Sequence, residues 1–245
     1  MAVQPQRLAE HATQKFGVEL SPAIREQLVI YAREMLDWNE HRANLTAITD
    51  PDAVETRHFL DSISLLGHIQ IPQKSHLIDV GTGAGFPGLV LKIIRPDIAL
   101  TLMDSVGKKT AFLSHMVEVL QLSNVQVVTS RAEDAGQNRA YREKYDVVVA
   151  RAVAHLPVLA EYLLPLCKVG GVCVAMKGES AAREIDEAAY ALKTLGGKVT
   201  ANHRVELPGV EETHYLIVME KIRPTPAQYP RQAGTPSKRP LLPQS

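Results

Sequence analysis

HLIDVGTGAGFPG, residues 76–88, is the stretch whose reading decides the fold. Leu77-Ile78-Asp79-Val80 has the apolar composition of a short strand, and Gly81, Gly83 and Gly85 follow it at once. Glycines at that point let the backbone turn tightly and let a ligand approach the main chain, with a helix start nearby. The pattern predicts that helix over Gly88–Ile94, stopped by Pro96. Asp104 stands about twenty residues past Gly85, at the end of the next strand, where a carboxylate can accept both hydroxyls of a ribose. A glycine pattern alone is weak evidence; the downstream acid strengthens it.

Two nucleoside cofactors have to be weighed against this turn. Gly83-Ala84-Gly85-Phe86-Pro87-Gly88 satisfies the dinucleotide pattern in a shifted frame, but Pro87 would then sit in the phosphate turn with no amide to offer. Asp79, two residues before the first glycine, suits a cationic amino-acid group and repels a diphosphate. The turn therefore reads as a site for S-adenosylmethionine rather than NAD.

Outward from the turn, short apolar runs alternate with helical stretches. Strands are expected at Ala99–Met103, Val125–Thr129, Tyr145–Ala150 and Gly171–Met176, and helices over Lys108–Leu120, Leu156–Leu166 and Ser180–Leu195. Such alternation implies a parallel sheet with helices on both faces. Its end differs: Lys198–Leu207 and His214–Ile222, joined by the turn-rich Pro208–Glu212, predict an antiparallel hairpin. The fold class expected is α/β, the Rossmann-like class I methyltransferase type. It has a seven-stranded, mostly parallel sheet, an antiparallel C-terminal hairpin and an N-terminal helical extension.

Residues 1–70 read as that extension. Ser21-Pro22 and Asp50-Pro51 are helix-start signals, and the second helix should reach about Gly67. Ile24, Leu28, Tyr31, Met35 and Trp38 recur at helical spacing as one apolar stripe. Residues 71–222 form the cofactor-binding domain. Residues 223–245 contain six prolines and the cations Arg223, Arg231, Lys238 and Arg239 without an acid. Such a segment builds no core of its own, so it reads either as a disordered end or as a basic strap for substrate.

Lys+Arg and Asp+Glu both number 27, so no global basic field announces a polyanionic partner. Cys167 and Cys173 lack zinc spacing and read as packing thiols in a reducing compartment. No metal site is expected. The first residues lack a basic-then-apolar leader and no apolar run has membrane length, so the expected location is the cytoplasm. The remaining strand ends complete the candidate site: Ser130-Arg131-Ala132-Glu133 for adenine, Arg151 beside the transfer point, and Lys177-Gly178.

The chain closely resembles the RsmG family, also called glucose-inhibited division protein B. The likeness is carried by Asn44–Ile48, His58, Asp61-Ser62, Asp79–Gly88, Asp104-Ser105, Lys108-Lys109, Phe112-Leu113, Ser130–Glu133 and Ala150–Val153. It continues through Leu164–Leu166, Gly170-Gly171, Lys177-Gly178 and the tail residues Tyr229–Arg231, Gly234, Pro236, Lys238 and Pro240-Leu241. The resemblance implies methyl transfer from S-adenosylmethionine to N7 of a guanine in 16S ribosomal RNA, in the decoding region of the small subunit. It implies cofactor contacts at Gly81, Phe86, Ala132, Glu133 and Arg151, to which the glycine turn and ribose argument add Gly83, Gly85 and Asp104.

In that light the tail reads as a substrate strap, and Arg57, His58, Lys177, Arg231 and Lys238 are expected to guide RNA. Arg57 and Asp61, like His58 and Ser62, are four apart and should share a ridge facing the transfer cleft. Phe86, Tyr229 and the proline-rich tail are candidate platforms for an unstacked guanine. Arg151 is the one expected positioning residue in catalysis, with no general base. Zero net charge favours the assembled small subunit over naked RNA as substrate, and a monomer is the expected state. The alternatives are a methyltransferase acting on another RNA or a small molecule, an NAD enzyme, and a non-catalytic scaffold.

Overall fold

The structure is a computed structural model that describes residues 3–151 and 153–243. Ala152, part of the Ala150–Val153 stretch above, lies outside the described residues, as do residues 1–2 and 244–245.

Among the described residues, four α-helices and one wide turn precede the first strand. These are α1 (Pro5–Phe16), α2 (Pro22–His41), α3 (Pro51–Val54), a π-helical segment at Glu55–Leu60, and α4 (Asp61–His68). Both start signals act as read. The Ser21 hydroxyl accepts from the Ile24 amide at 3.3 Å, and the Asp50 carboxylate from the Ala53 amide at 2.9 Å. The apolar stripe of α2 points inward, with Leu28, Tyr31 and Met35 fully buried.

The sheet comprises β1 (His76–Val80), β2 (Ala99–Asp104), β3 (Val125–Thr129), β4 (Tyr145–Arg151), β5 (Cys167–Lys177), β6 (Gly197–Val205) and β7 (His214–Lys221). Their order is β3-β2-β1-β4-β5-β7-β6, with β1 to β5 parallel and β7 inserted antiparallel between β5 and β6. Side chains alternate between two apolar layers, as a strand's period of two requires. Leu77, Val147, Val149 and Val174 face one layer; Ile78, Val148, Ala150, Cys173 and Ala175 face the other.

The first layer is covered by α5 (Gly88–Ile94), α6 (Gly107–Val119) and the N-terminal helices. Its core therefore runs without a break from α2 to β1, across the change of pattern near residue 70. The second layer is covered by α8 (Leu156–Leu163) and α9 (Ala181–Leu195). A short α7 (Ala132–Gln137) between β3 and β4 has no counterpart in the sequence pattern, because AEDAGQ carries too few apolar residues to show a period.

The tail is ordered across residues 223–243, ending in α10 (Thr235–Lys238). It holds on through polar bonds rather than a core of its own. The Arg142 guanidinium donates to the carbonyls of Tyr229 and Thr225 at 2.7 and 2.8 Å, and Gln137 to that of Pro230 at 2.7 Å. Among the described residues no helix is long and apolar enough to cross a membrane.

Candidate active site

The glycine turn is shaped from both sides. Gly81, Gly83 and Gly85 adopt φ of +69°, +61° and +102°, a left-handed backbone that only glycine takes without strain. Asp79 does not reach out of the turn. Its Oδ2 accepts from the Thr82 hydroxyl at 2.6 Å and the Gly88 amide at 2.8 Å, so it ties β1 to the start of α5. Burial pushes this carboxyl up to about 6, against the pull of those two donors. From the other side, the buried Tyr31 hydroxyl donates to the Ala84 carbonyl at 2.5 Å. A side chain at Gly85 would collide with Tyr31 and Leu89, so that glycine serves packing.

Two cavities open at the carboxyl ends of the parallel strands. The first, about 460 Å³, is lined by Gly81, Asp104, Val106, Lys109, Ser130, Ala132, Glu133 and Arg151 among others. That volume suits a nucleoside-sized ligand. Asp104 is held by the amides of Gly83 and Val106 at 3.0 and 2.9 Å, and each oxygen keeps a free lone pair for a hydroxyl. The second cavity, about 480 Å³, is lined by Ile48, Arg57, His58, Asp61, Met176, Lys177, Gly178, Ser180, Glu184, His214 and Tyr215, and again by Arg151. Among the described residues Arg151 is the one common to both.

Its setting explains why. Nη1 donates to the Arg57 carbonyl at 2.9 Å and to Asp61 at 3.2 Å, and Nη2 to His58 Nδ1 at 3.2 Å. Phe86 lies beneath, its ring 5.1 Å from the guanidinium carbon and stacked on His58 at 4.4 Å. Burial and the Arg151 charge push the His58 imidazole down to about 3. It stays neutral, accepts from Arg151 on Nδ1 and so carries its proton on Nε2, facing the Thr46 hydroxyl at 2.9 Å. The Asp61 carboxylate also binds His214 at 2.9 Å, which pushes that imidazole above its ordinary value.

Several expected residues turn out to be committed elsewhere. Arg231 grips the fully buried Glu161 through Nε at 2.9 Å and Nη2 at 2.6 Å. Lys177 is spent on Glu184 and the Ala154 carbonyl, both at 2.7 Å. His58 is buried, bound to Arg151 and Thr46, although it contributes to the lining of the second cavity. Phe86 is likewise buried, its side chain lining neither cavity, and Tyr229 lies away from both. Gly83 and Gly85 also lie outside the linings, Gly83 reaching the site through its bond to Asp104. Arg57 pairs with Glu212 at 2.8 Å, not with Asp61. The π-helical segment is the reason, since its wider turn breaks the four-residue ridge assumed for an α-helix. Of the expected RNA cations, Lys238 is exposed and Arg57 partly so.

The tail, read from the sequence as a substrate strap, reaches the first cavity instead. The Gly234 amide donates to Glu133 at 2.8 Å, and Ser237 with Tyr162 of α8 lines the first cavity. The strap closes over the Glu133 end of that cavity and is pinned there by Arg231 on Glu161. Glu161→Gln, which loses a bidentate charged pair, should weaken S-adenosylhomocysteine binding about tenfold in calorimetry and leave the KM for RNA in place. A selective rise in the RNA KM would restore the strap to substrate binding.

The donor set fits S-adenosylmethionine. Asp104 suits a ribose, Glu133 and the Ala132 backbone suit an adenine, and Asp79 Oδ1, buried beneath the turn and outside the lining, has no hydrogen-bond partner. Sheet order, glycine turn and cavity together define a class I S-adenosylmethionine-dependent methyltransferase. A family model described as GidB, rRNA small subunit methyltransferase G, matches residues 24–212, and the chain belongs to that family.

Ribosomal RNA small subunit methyltransferase G of Lactobacillus delbrueckii subsp. bulgaricus is 47% identical over 98% of this chain and all of its own length. The Roseiflexus castenholzii protein of the same name is 51% identical over 93% of this chain and 96% of its own. Among solved structures, M. jannaschii TYW2 in complex with AdoMet has a TM-score of 0.51 at 16% identity, covering 61% of this chain and 70% of its own. TrmN from Thermus thermophilus has a TM-score of 0.52 at 18% identity, covering 69% and 53%. These two likenesses concern the fold.

Proposed function

We propose that this chain transfers the methyl group of S-adenosylmethionine to N7 of a guanine in 16S ribosomal RNA, with the cofactor in the first cavity and the base entering through the second. The observation that carries the arrangement is the meeting of the two cavities at Arg151. When bound, the cofactor supplies an activated methyl group on a cationic sulfur. Gly81 gives it close approach to the backbone, Asp104 takes the ribose, and Glu133 with Ala132 takes the adenine.

Guanine N7 already carries a lone pair and loses no proton on alkylation. What the chain must supply is therefore alignment rather than base catalysis. Arg151 is suited to aligning a base because three acceptors and an aromatic face fix its direction, so little side-chain freedom is lost when the base arrives. Arg57 and Lys238 would meet RNA phosphates at the rim. Zero net charge leaves such contacts few, which favours a substrate held in place by the assembled small subunit.

The test is transfer of labelled methyl groups to small subunits from a strain lacking this protein, followed by chemical cleavage at 7-methylguanine. A single labelled guanine in 16S RNA is the expected result; no label, or label in a small molecule only, would overturn the reading. Equal rates on subunits and on deproteinised RNA would remove the particle from the proposal.

A further inference from the structure

The second cavity is polar in composition, yet most of its polar groups are already paired, several with one another. Glu184 accepts from Lys177 at 2.7 Å, the Ser180 hydroxyl at 2.6 Å and the Leu156 amide at 2.8 Å. Asp61 accepts from Arg151 and His214, and His58 lies between Thr46 and Arg151. The surfaces left for a ligand include those of Ile48, Met176 and Tyr215 and the unspent N–H groups of Arg151, with Arg57 turned outward onto Glu212 at the rim. Such a cavity suits a flat aromatic ring that presents an acceptor at the edge facing Arg151.

Tyr215 owes its place to topology. It pairs with Lys177 across the antiparallel β5–β7 ladder, so the start of β7 falls at the carboxyl edge of the parallel strands. It is half-buried against the α8–α9 layer and, among the described residues, is the one carbocyclic aromatic side chain in the second lining.

The electrostatics of the reaction add a demand that stacking alone does not. The S–CH3 bond breaks with its electron pair staying on sulfur, and the N7 lone pair forms the new N–CH3 bond. No proton leaves, so the positive charge moves from sulfur to the base. A π face attracts a cation, and more strongly in a desolvated site than in water. An aromatic wall therefore binds the transition state better than neutral guanine, as catalysis requires.

We propose that the unstacked guanine lies on the ring of Tyr215 in the second cavity, its O6 toward Arg151, so that the charge it acquires develops against an aromatic face. With N7 directed at the first cavity, the neighbouring O6 comes to the junction that Arg151 occupies. An adenine there would present its amino group to the guanidinium, which gives a reason for guanine. This rests on the reading of the first cavity as the S-adenosylmethionine site.

The experiment compares Tyr215→Leu and Tyr215→Phe in the full chain, on small subunits lacking the methyl mark. Tyr215→Leu should lower kcat/KM about thirtyfold, part of it in kcat, while Tyr215→Phe restores most of the loss. Calorimetry supplies the readout that activity does not: the wild type should bind 7-methylguanosine monophosphate more tightly than guanosine monophosphate, and Tyr215→Leu should lose that preference. S-adenosylhomocysteine affinity should hold in both variants.

Wild-type kcat/KM in Tyr215→Leu, an equal loss in Tyr215→Phe, or no preference for the methylated nucleotide in the wild type would each overturn the proposal. A parallel fall in S-adenosylhomocysteine affinity would reduce Tyr215 to a packing role and overturn it too. Failure of the wild type itself to bind S-adenosylhomocysteine would instead strike the reading of the first cavity.

Discussion

Gly81→Val is expected to lower S-adenosylhomocysteine affinity at least about a hundredfold, equivalent to about 2.8 kcal/mol. Two effects combine. Gly81 sits at φ +69°, where a β-branched residue is a steric outlier and any side chain costs about 1–2 kcal/mol. Its added Cβ would also lie 2.7 Å from a Val153 methyl, and both residues line the first cavity, so the bulk enters ligand space. Gly170→Val separates the two effects. Gly170 is also left-handed, at φ +84°, but a Cβ there meets nothing within 4 Å and it lines neither cavity. Calorimetry should find binding lost in Gly81→Val and kept in Gly170→Val, with both melting earlier than wild type. Affinity within tenfold of wild type in Gly81→Val would mean that the cofactor does not lie on this turn.

How much of this was legible in the sequence depends on the range of the signal. Strand and helix periods are local, and β3 and α5 came out with the observed ends while the other sheet elements differed by a few residues. The Gly81 turn, Asp104, Glu133 and Arg151 could be placed because parallel strands deliver their ends to one edge. His214 and Tyr215 follow from the same rule once β7 is known to lie beside β5. An antiparallel β7 beside β5 must begin where β5 ends, so its first residues join that edge. The hairpin itself is visible in the sequence, but no local pattern says which of its two strands lies against β5.

What stayed hidden was pairing between distant charges. Arg231 and Lys177 are cations at plausible positions, and their partners Glu161 and Glu184 sit on helices whose facing residues no spacing rule identifies. The tail illustrates the same limit. Its composition argued correctly against a core, but an ordered path can be held by an arginine and a buried glutamate, as Arg142 and Glu161 hold this one. The π-helical segment hid the third feature. With one residue more per turn, Asp61 rotates away from Arg57 and onto Arg151 and His214.

That last displacement gives Arg151 its weight, and Arg151→Ala should reduce the single-turnover rate of methyl transfer about a hundredfold or more. Misplacing a reacting partner by about 1 Å is enough for a loss of that size. Stability should fall by about 1–3 kcal/mol, a loss that a domain held by about 5–15 kcal/mol survives folded. The groups left behind are not stranded: Asp61 keeps His214, and His58 keeps Thr46 and its stack on Phe86. Arg151→Lys should recover little of the rate, because one ammonium cannot reach the Arg57 carbonyl, Asp61 and His58 in the fork geometry and still present a donor to the base. The two roles separate by temperature. If Arg151 were only a tie between the π-helical segment and β4, Arg151→Ala assayed well below its melting point would turn over like the wild type. A deficit that persists in the fully folded variant, with S-adenosylhomocysteine still bound, places the loss at the junction of the two cavities.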